Sequence, residues 1–187
     1  SPLNEVVKVI QLSPAFPGLS SPVALCVNTD PVSSKKGFVY VACSVANVVS
    51  VIDLSLNVTD NISVGVRPVA IAFNPVNKNV YVANLVSGSV SVINPETASQ
   101  IPGSPFPAGI DPIGIGIHPG SGEIYIANSL GNNITVYNSA NFFVTTIPGV
   151  GSRPVSVTYN PANDSMYVVA TNSNHICQIN SLSHAVS

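Results

Sequence analysis

Four residues that could bind a small anion stand directly before prolines at regular intervals along the chain. They are Ser21, Arg67, Asp111 and Arg153, and the prolines are Pro22, Pro68, Pro112 and Pro154. Guanidinium groups bind carboxylates and phosphates through paired hydrogen bonds. If the fold gathers these positions, they predict a site for a carboxylated sugar or a phosphorylated ligand. The alternative is that the charged groups pair with one another or with carbonyl groups of the turns.

Other residue types form no recognisable catalytic or metal-binding set. The sequence contains no glycine-rich phosphate loop, no zinc-ligand spacing and no calcium loop. His118 stands where two equivalent segments carry asparagine, which favours a turn residue. His175 and His184 have no acidic neighbour in sequence that would orient them as a base or a ligand. We therefore expect no catalytic residue, no metal and no cofactor, and a protein that is not an enzyme.

Asparagine-linked glycans could attach at four Asn-x-Ser/Thr sequences if the protein is secreted. These sequences begin at Asn57, Asn61, Asn133 and Asn163. Asparagine, serine and threonine are so frequent here that their number carries no weight. Asn57 and Asn61 adjoin an expected outer strand, where a sugar could be accommodated.

The three cysteines are expected to be buried thiols rather than a disulfide. An odd number leaves at least one unpaired within the chain. The expected register of the first hairpin puts Cys26 opposite Tyr40 and Cys43 opposite Val23, on different faces of the sheet. Unpaired cysteines are commonly interior.

These residues belong to a repeat that occurs four times. Each copy begins with an alternating segment led by proline: Pro22–Asn28, Pro68–Asn74, Pro112–His118 and Pro154–Asn160. The second strands are Tyr40–Cys43, Tyr81–Asn84, Tyr125–Asn128 and Tyr167–Ala170. The third strands are Val48–Leu54, Ser89–Asn94, Ile134–Asn138 and Ile176–Asn180. Outer, fourth strands are expected at Val58–Val64, Ala98–Pro102 and Phe142–Ile147.

Repeats of roughly 40 to 50 residues with four strands are typical of β-propeller blades. The sequence therefore predicts an all-β propeller with four blades of four antiparallel strands, spanning residues 1–187 as one domain. In such a fold the residues before the four prolines would gather at one mouth of the central channel.

The first strand of each copy fits the innermost position of a blade. Val69, Ile71 and Phe73 alternate with Ala70 and Ala72. Small residues are expected where twisted sheets converge around an axis. The first copy also carries extra residues within Asn28–Gly37, a charged loop that is a candidate contact site.

The repeat resembles the YVTN family of β-propellers, found in bacterial and archaeal surface and secreted proteins. The resemblance rests on the leading proline, the Asn-Pro turns, and segments such as Tyr81-Val-Ala-Asn84 and Ser89-Val-Ser-Val-Ile-Asn94. It covers essentially the whole chain and implies a propeller without implying an activity. Family members usually form rings of about seven blades, whereas this chain has four copies.

Composition limits the classes of partner. Charged residues make up 7% of the chain and the net charge is −2, which argues against nucleic acid because phosphate binding needs clustered Lys and Arg. No apolar run is long enough for a membrane span. The neutral polar surface and the resemblance favour a protein that is extracellular or at the cell surface. The start at Ser1-Pro2 fits a processed or excised chain.

The ends of the repeat array predict assembly. Glu5–Leu12 reads as a strand without a blade, and the fourth copy shows no outer strand before Ser187. The two can join within one chain and close a four-bladed ring, or between chains by strand donation into dimers or filaments. A third alternative is an excised fragment of a larger propeller.

The leading functional hypothesis is a non-catalytic surface module for assembly, adhesion, or binding of a surface glycan or a protein. The runner-up is an enzyme resembling the propeller lactonases, which act on sugar lactones near the channel mouth. That enzyme would need Arg67, Asp111 and Arg153 as its site.

Overall fold

A computed structural model describes residues 8–12 and 21–187, and in these ranges all regular structure is β-strand. The first blade consists of β1 (Pro22–Val27), β2 (Val39–Cys43), β3 (Val48–Ile52) and β4 (Val58–Ser63). The second consists of β5 (Pro68–Phe73), β6 (Val80–Asn84), β7 (Ser89–Asn94), β8 (Ser99–Gln100) and β9 (Phe106–Pro107). The third consists of β10 (Pro112–Ile117), β11 (Ile124–Asn128), β12 (Asn133–Tyr137) and β13 (Phe143–Ile147). The fourth consists of β14 (Pro154–Asn160), β15 (Ser165–Ala170) and β16 (His175–Asn180).

Each blade is an antiparallel sheet whose strands pair in chain order. The predicted all-β architecture of four blades is confirmed. The second blade departs from the pattern because its outer edge is split: β8 and β9 both pair with β7. The sequence interpretation missed β9.

Every inner strand contains a bulge directly after its leading proline. Pro68 lies opposite Asn84, and the next paired residue, Ala70, lies opposite Ala83. Proline cannot donate to the ladder, which makes a strand start with a bulge a tolerated place for it. In the first blade the same bulge puts Cys43 opposite Pro22, so the expected pairing of Cys43 with Val23 is wrong, whereas Cys26 lies opposite Tyr40 as predicted.

The cysteines are free thiols that pack as small apolar residues. Cys43 and Cys177 are buried and Cys26 is partly buried against the core between the first two blades. Burial raises the pKa of the Cys26 thiol to about 12, which disfavours the reactive thiolate.

Small residues on the inner strands permit the close approach of adjacent blades. A Cβ atom on Gly114 would lie 2.7 Å from the carbonyl oxygen of Val155, and one on Gly116 would lie 2.8 Å from that of Val157. The expectation that small residues mark a convergence of sheets is confirmed.

The hydrophobic core consists of layers between adjacent blades. Tyr40 and Val49 of the first blade share a cluster with Ile71 of the second. Tyr125 and Ile134 of the third blade share another with Val157 of the fourth. Each blade thus buries one face against the next.

The four blades form an open arc. Inner-strand packing runs from β1 to β5, from β5 to β10 and from β10 to β14. Within the described residues no comparable packing joins β14 back to β1. Closure of a four-bladed ring within one chain, one of the alternatives above, is therefore not observed.

The N-terminal residues that are described differ from the predicted strand, whereas the fourth blade lacks an outer strand as predicted. In the described part of the expected N-terminal strand, residues 8–12 are not in a strand, and Ile10 and Leu12 pack against the first blade. The remainder of that segment lies outside the described residues. At the other end Val186 pairs with Ile179. This is an isolated bridge, and among the described residues the fourth blade has three strands and no outer strand, as expected.

Candidate binding surface at the channel mouth

The residues before the four leading prolines occupy one structural position, at the same end of the four inner strands. Ser21, Arg67, Asp111 and Arg153 all have left-handed backbones, with φ of 42°, 60°, 54° and 59°. Their carbonyl oxygens accept hydrogen bonds from the residues that follow the second strands, at 2.9 Å from Ser44, 2.9 Å from Leu85, 2.8 Å from Ser129 and 3.1 Å from Thr171. The repeat therefore places these residues at equivalent positions at one end of the inner strands, which we call the mouth of the arc.

Asparagine side chains from the preceding blade hold two of these residues in place. The Oδ1 atom of Asn47 accepts a hydrogen bond from the backbone N–H of Arg67 at 2.7 Å, and Asn132 does the same for Arg153 at 2.8 Å. Left-handed conformations of non-glycine residues are uncommon and cost free energy. The hydrogen bonds between blades offset part of that cost.

The charged side chains at the mouth are not used to hold the arc together. Arg67 and Arg153 are exposed, and Asp111 is partly exposed. Within the described residues no ion pair and no side-chain hydrogen bond involves Arg67, Asp111 or Arg153. The alternative in which they pair with one another is thus not observed there, and both guanidinium groups are available to a ligand.

Glycines two positions before the mouth residues bring the linking loops down onto the blades, which the sequence interpretation missed. A Cβ atom on Gly65 would lie 2.6 Å from Cγ of the buried Asn84, and one on Gly109 would lie 2.5 Å from Cγ of the buried Asn128. The recurring Gly-x-Arg/Asp-Pro pattern around Arg67, Asp111 and Arg153 could have revealed this constraint.

Exposed apolar residues also lie in the mouth loops of the first three blades. They are Val45, Val66, Val86, Ile110 and Leu130. They lie in the loops that begin and end at the mouth, and backbone hydrogen bonds join the paired loops, from Val86 N to Val66 O at 3.2 Å and from Gly131 N to Ile110 O at 3.2 Å. We call these five residues, with Arg67, Asp111 and Arg153, the mouth surface.

The fourth blade is polar at the positions equivalent to these apolar residues. Ser152 and Asn172 take the places of the pairs Val66 with Val86 and Ile110 with Leu130, and Asn172 N donates to Ser152 O at 3.1 Å. The apolar part of the mouth surface is therefore confined to the first three blades. Its members are scattered in sequence, so only the repeat alignment could have grouped them.

A shallow cavity of about 380 Å³ lies on the concave side of the arc, at the end of the inner strands away from the mouth. Phe73, Gly116, Ile117, Thr158 and Tyr159 are among the residues that line it. No charged side chain lines the cavity among the described residues.

His118 is a turn residue, as predicted, and it also bonds to the next blade. Its Nδ1 atom accepts hydrogen bonds from the backbone N–H groups of Gly120 at 3.2 Å and Ser121 at 3.0 Å. The Nε2 atom then carries the proton and donates to Oδ1 of Asp164 at 2.9 Å. This arrangement joins two blades and contacts no other candidate site residue.

The loop Asn28–Gly37, a candidate contact site in the sequence, contacts the neighbouring blade. Asp30 forms an ion pair with Lys78 at 3.5 Å. Ser33 and Ser34 donate to the carboxylate of Glu96, with a distance of 2.6 Å from Ser34. The loop thus links the first blade to the second.

Three of the four candidate glycosylation sites are exposed: Asn57, Asn61 and Asn163. Asn133 is not freely exposed, because its Oδ1 accepts from Nδ2 of Asn128 at 2.8 Å and its Nδ2 donates to Gly131 O at 3.0 Å. A glycan on Asn133 would require these bonds to break.

Residues 8–12 and 21–187 contain neither a metal-binding cluster nor a membrane-spanning helix. No group of histidine, cysteine or acidic side chains there is arranged to hold a metal ion. No helix in these ranges is long and apolar enough to cross a membrane.

Solved structures that resemble the chain are β-propeller proteins, which is the class that this fold defines. Hydrazine synthase from Kuenenia stuttgartiensis is 23% identical with a TM-score of 0.80, over 96% of this chain and 51% of the other. A protein proposed to be a 6-phosphogluconolactonase, from Bacteroides uniformis, is 13% identical with a TM-score of 0.72, over 89% and 52%. The WD40 repeats of RRP9 are 12% identical with a TM-score of 0.74, over 89% and 50%.

These similarities establish the fold alone, because the identities are low. The chain spans about half the length of each of the three proteins. No family model and no curated protein matches the sequence.

Proposed function

We propose that this chain is a non-catalytic binding module of the YVTN type, acting outside the cell or at its surface, and that it binds its ligand through the mouth surface. The observation that carries the proposal is the combination of five exposed apolar residues with two unpaired arginines on one face. Contiguous exposed apolar residues are uncommon on monomers, and arginine is enriched where proteins bind partners.

The composition of this surface indicates a ligand that carries both a carboxylate and an apolar part. Arg67 and Arg153 can each form paired hydrogen bonds with a carboxylate. Val86, Ile110 and Leu130 are exposed apolar residues of the same mouth surface. A surface polysaccharide that contains sugar acids, or an acidic protein segment with aliphatic side chains, has this chemistry.

An extracellular location is supported by the same features that suggested it in the sequence. The chain has 7% charged residues, and three of its Asn-x-Ser/Thr sequences are exposed. Mass spectrometry of protein purified from its native source would test glycosylation at Asn57, Asn61 and Asn163.

Binding of a sugar-acid oligosaccharide tests the proposal. An oligogalacturonate should bind the wild-type chain, and the double substitution Arg67→Ala with Arg153→Ala should weaken that binding at least about tenfold, the equivalent of about 1.4 kcal/mol. Each arginine is exposed and lies outside the strands, so the fold should be retained. Isothermal titration calorimetry measures the affinity, and circular dichroism checks the fold.

The matched control removes two positive charges at the opposite end of the blades. Lys8 and Lys36 lie by the turns away from the mouth, and Lys8→Ala with Lys36→Ala should leave the affinity unchanged. Equal losses in the two double variants would indicate a general charge effect. Full affinity in the arginine variant would place the site elsewhere.

The second candidate function is a lactonase-like enzyme, favoured by the presence of Asp111 between the two arginines in the repeat order. One of the similar structures carries a lactonase description, at 13% identity. Such an enzyme would hydrolyse gluconolactone faster than the spontaneous rate, and Asp111→Asn would lower its rate. A binding module would show no hydrolysis above the spontaneous rate.

A further inference from the structure

The outer strand of the third blade, β13, has an unpaired backbone edge at the rim of the arc. In the order β10-β11-β12-β13 it pairs with β12 alone. Within the described residues no backbone hydrogen bond reaches its other edge. The blade has neighbours on both sides in the chain, so this edge is separate from the two end faces of the arc. Unpaired strand edges are templates for pairing with another strand.

The register of β13 shows which of its backbone groups point outwards. Asn138, directly after β12, donates its backbone N–H to the residue directly before β13 at 3.0 Å. Backbone groups along a strand alternate between its two neighbours, so those of Val136 also face β13. Thr145 lies opposite Val136, and its N–H and C=O therefore face β12. Because peptide units are planar and trans, the Val144 C=O and the Thr146 N–H on either side of it face outwards.

The side chains of β13 do not protect this edge. Phe142, Phe143 and Val144 are 69%, 59% and 39% exposed. No charged residue lies between Glu123 and Arg153. Proteins commonly protect an exposed edge with charged residues, prolines or a very short strand. The five residues of β13 include no charge and no proline.

The outer edges of the first two blades carry such protection. Asp60 of β4 lies opposite Val51, just as Thr145 of β13 lies opposite Val136. A second copy of β4 paired at this position would bring two carboxylates together, which is unfavourable. In the second blade the edge is divided between β8 and β9, of two residues each. Of the outer strands described, β13 alone is both uncharged and longer than two residues.

The sequence of β13 is complementary to itself in antiparallel pairing. With a twofold axis at Thr145, this residue lies opposite its own copy, and Val144 lies opposite Thr146 of the other copy. Thr–Thr pairs are favourable cross-strand neighbours, and no like charges meet. The outward Thr146 N–H of each copy can donate to the outward Val144 C=O of the other, which gives two symmetric hydrogen bonds.

We propose that a second copy of this chain pairs with β13 edge to edge, the two strands running antiparallel about a twofold axis at Thr145. The pairing joins two four-stranded sheets into one. An interface made by one short strand is smaller than those of stable dimers, so the dimer forms at high protein concentration and dilute protein is mainly single chains. The inference does not rest on ligand binding at the mouth.

Disulfide trapping tests the register of this pairing. In an antiparallel pair without mutual hydrogen bonds the Cα atoms lie about 4.5 Å apart, a distance that a disulfide spans. Thr145→Cys should therefore give a covalent dimer, of twice 19.3 kDa, when concentrated protein is mildly oxidised. Non-reducing gel electrophoresis measures the yield.

Thr146→Cys is the matched control for random collision. Thr146 is more exposed than Thr145, but in the proposed register it lies opposite Val144 of the other copy and not opposite itself. Its yield of covalent dimer should therefore be much lower. The wild type should give no covalent dimer, because its three cysteines are buried or partly buried.

Analytical ultracentrifugation over a concentration series measures the association without a crosslink. The wild-type mass should rise with concentration from one chain towards two. Thr145→Asp reproduces Asp60 of the first blade at the centre of the pairing, and it should remain a single chain. Thr59→Asp adds the same charge to the exposed outer strand of the first blade and should behave as the wild type. Circular dichroism checks that each variant retains the β fold.

Three results would each overturn the proposal. The first is an equal yield of covalent dimer from Thr145→Cys and Thr146→Cys. The second is a wild type that stays monomeric up to millimolar concentration. The third is an association that Thr145→Asp leaves unchanged.

Discussion

At the scale of single residues, the repeat fixes backbone positions while leaving side-chain chemistry free to vary. Serine, arginine and aspartate occupy the same left-handed position before the four prolines. The residue types differ, but the carbonyl hydrogen bond that each accepts is the same. Because the backbone does the structural work at this position, its side chains can be selected for binding.

The tyrosines of the second strands give a residue-scale prediction with a built-in control. The hydroxyl group of Tyr40 is buried and has no hydrogen-bond partner in the described residues, whereas that of Tyr81 bonds to Asn77 at 2.7 Å and to Asn141. A buried hydroxyl without a hydrogen-bond partner destabilises the folded state, whereas a hydrogen-bonded one stabilises it. Tyr40→Phe should therefore raise the free energy of unfolding by about 1 kcal/mol. Tyr81→Phe should lower it by about 1 kcal/mol.

Urea unfolding monitored by far-ultraviolet circular dichroism measures both variants under one set of conditions. Changes of the same sign and size in the two would contradict the assigned difference in hydrogen bonding.

Much of the residue-scale site could be predicted from sequence, because the repeat aligns Ser21, Arg67, Asp111 and Arg153. The exposed apolar residues around them could not. Val86 and Leu130 have no feature that separates them from core valines and leucines until the loops are placed. Burial depends on which blade covers which face, and that is a property of the assembled arc.

At the scale of elements, one turn in each later blade contacts the end of the preceding inner strand. Lys78, Gly122 and Asp164 occupy equivalent left-handed positions, with φ of 65°, 73° and 50°. Lys78 forms an ion pair with Asp30 at 3.5 Å. The carbonyl oxygen of Gly122 accepts a hydrogen bond from Asn74 at 2.8 Å. Asp164 accepts one from His118 at 2.9 Å. The same backbone conformation thus supports an ion pair in one blade and hydrogen bonds in the other two. One hydrogen bond runs from a side-chain amide to a carbonyl oxygen, and the other from an imidazole to a carboxylate.

The contact between His118 and Asp164 predicts a pH dependence of stability. Hydrogen bonds from His118 and from Tyr159 hold the pKa of Asp164 below its ordinary value of 3.8. A depressed carboxyl pKa stabilises the folded state at pH values above 3.8, and this contribution is lost as the pH falls through the folded-state pKa. Wild-type stability should therefore fall in this acidic range more steeply than that of Asp164→Asn.

Urea denaturation at a series of pH values from neutral down to below the ordinary carboxyl pKa measures the two slopes. Parallel slopes for the wild type and Asp164→Asn would show that this carboxylate does not couple the third and fourth blades.

Most elements could be predicted from the sequence pattern, since alternation and turn residues repeat four times. Two kinds of element could not. The bulge after Pro22, like its equivalents, adds one residue to the inner strand. The alternation of side chains after the bulge is unchanged, and only the cross-strand partner of the proline is shifted. The N-terminal residues Ile10 and Leu12 have the pattern of a strand, yet they pack as single apolar side chains on the first blade.

At the scale of the whole molecule, the described residues form an arc of four blades whose two end faces differ. Its 7% of charged residues leaves little charge repulsion to oppose association. Leu25 at one end and Ile176 at the other are exposed although their equivalents are packed between blades.

Small-angle X-ray scattering of the double variant Leu25→Asp with Ile176→Asp, beside the wild type, tests the open arc most directly. The variant cannot use either end face, so it should scatter as a single 19.3 kDa chain whose profile fits the open arc of blades one to four. The wild type is the reference, in which any association through the end faces appears as a larger mass. A double variant that scatters as a compact, closed disc of four blades would contradict the account.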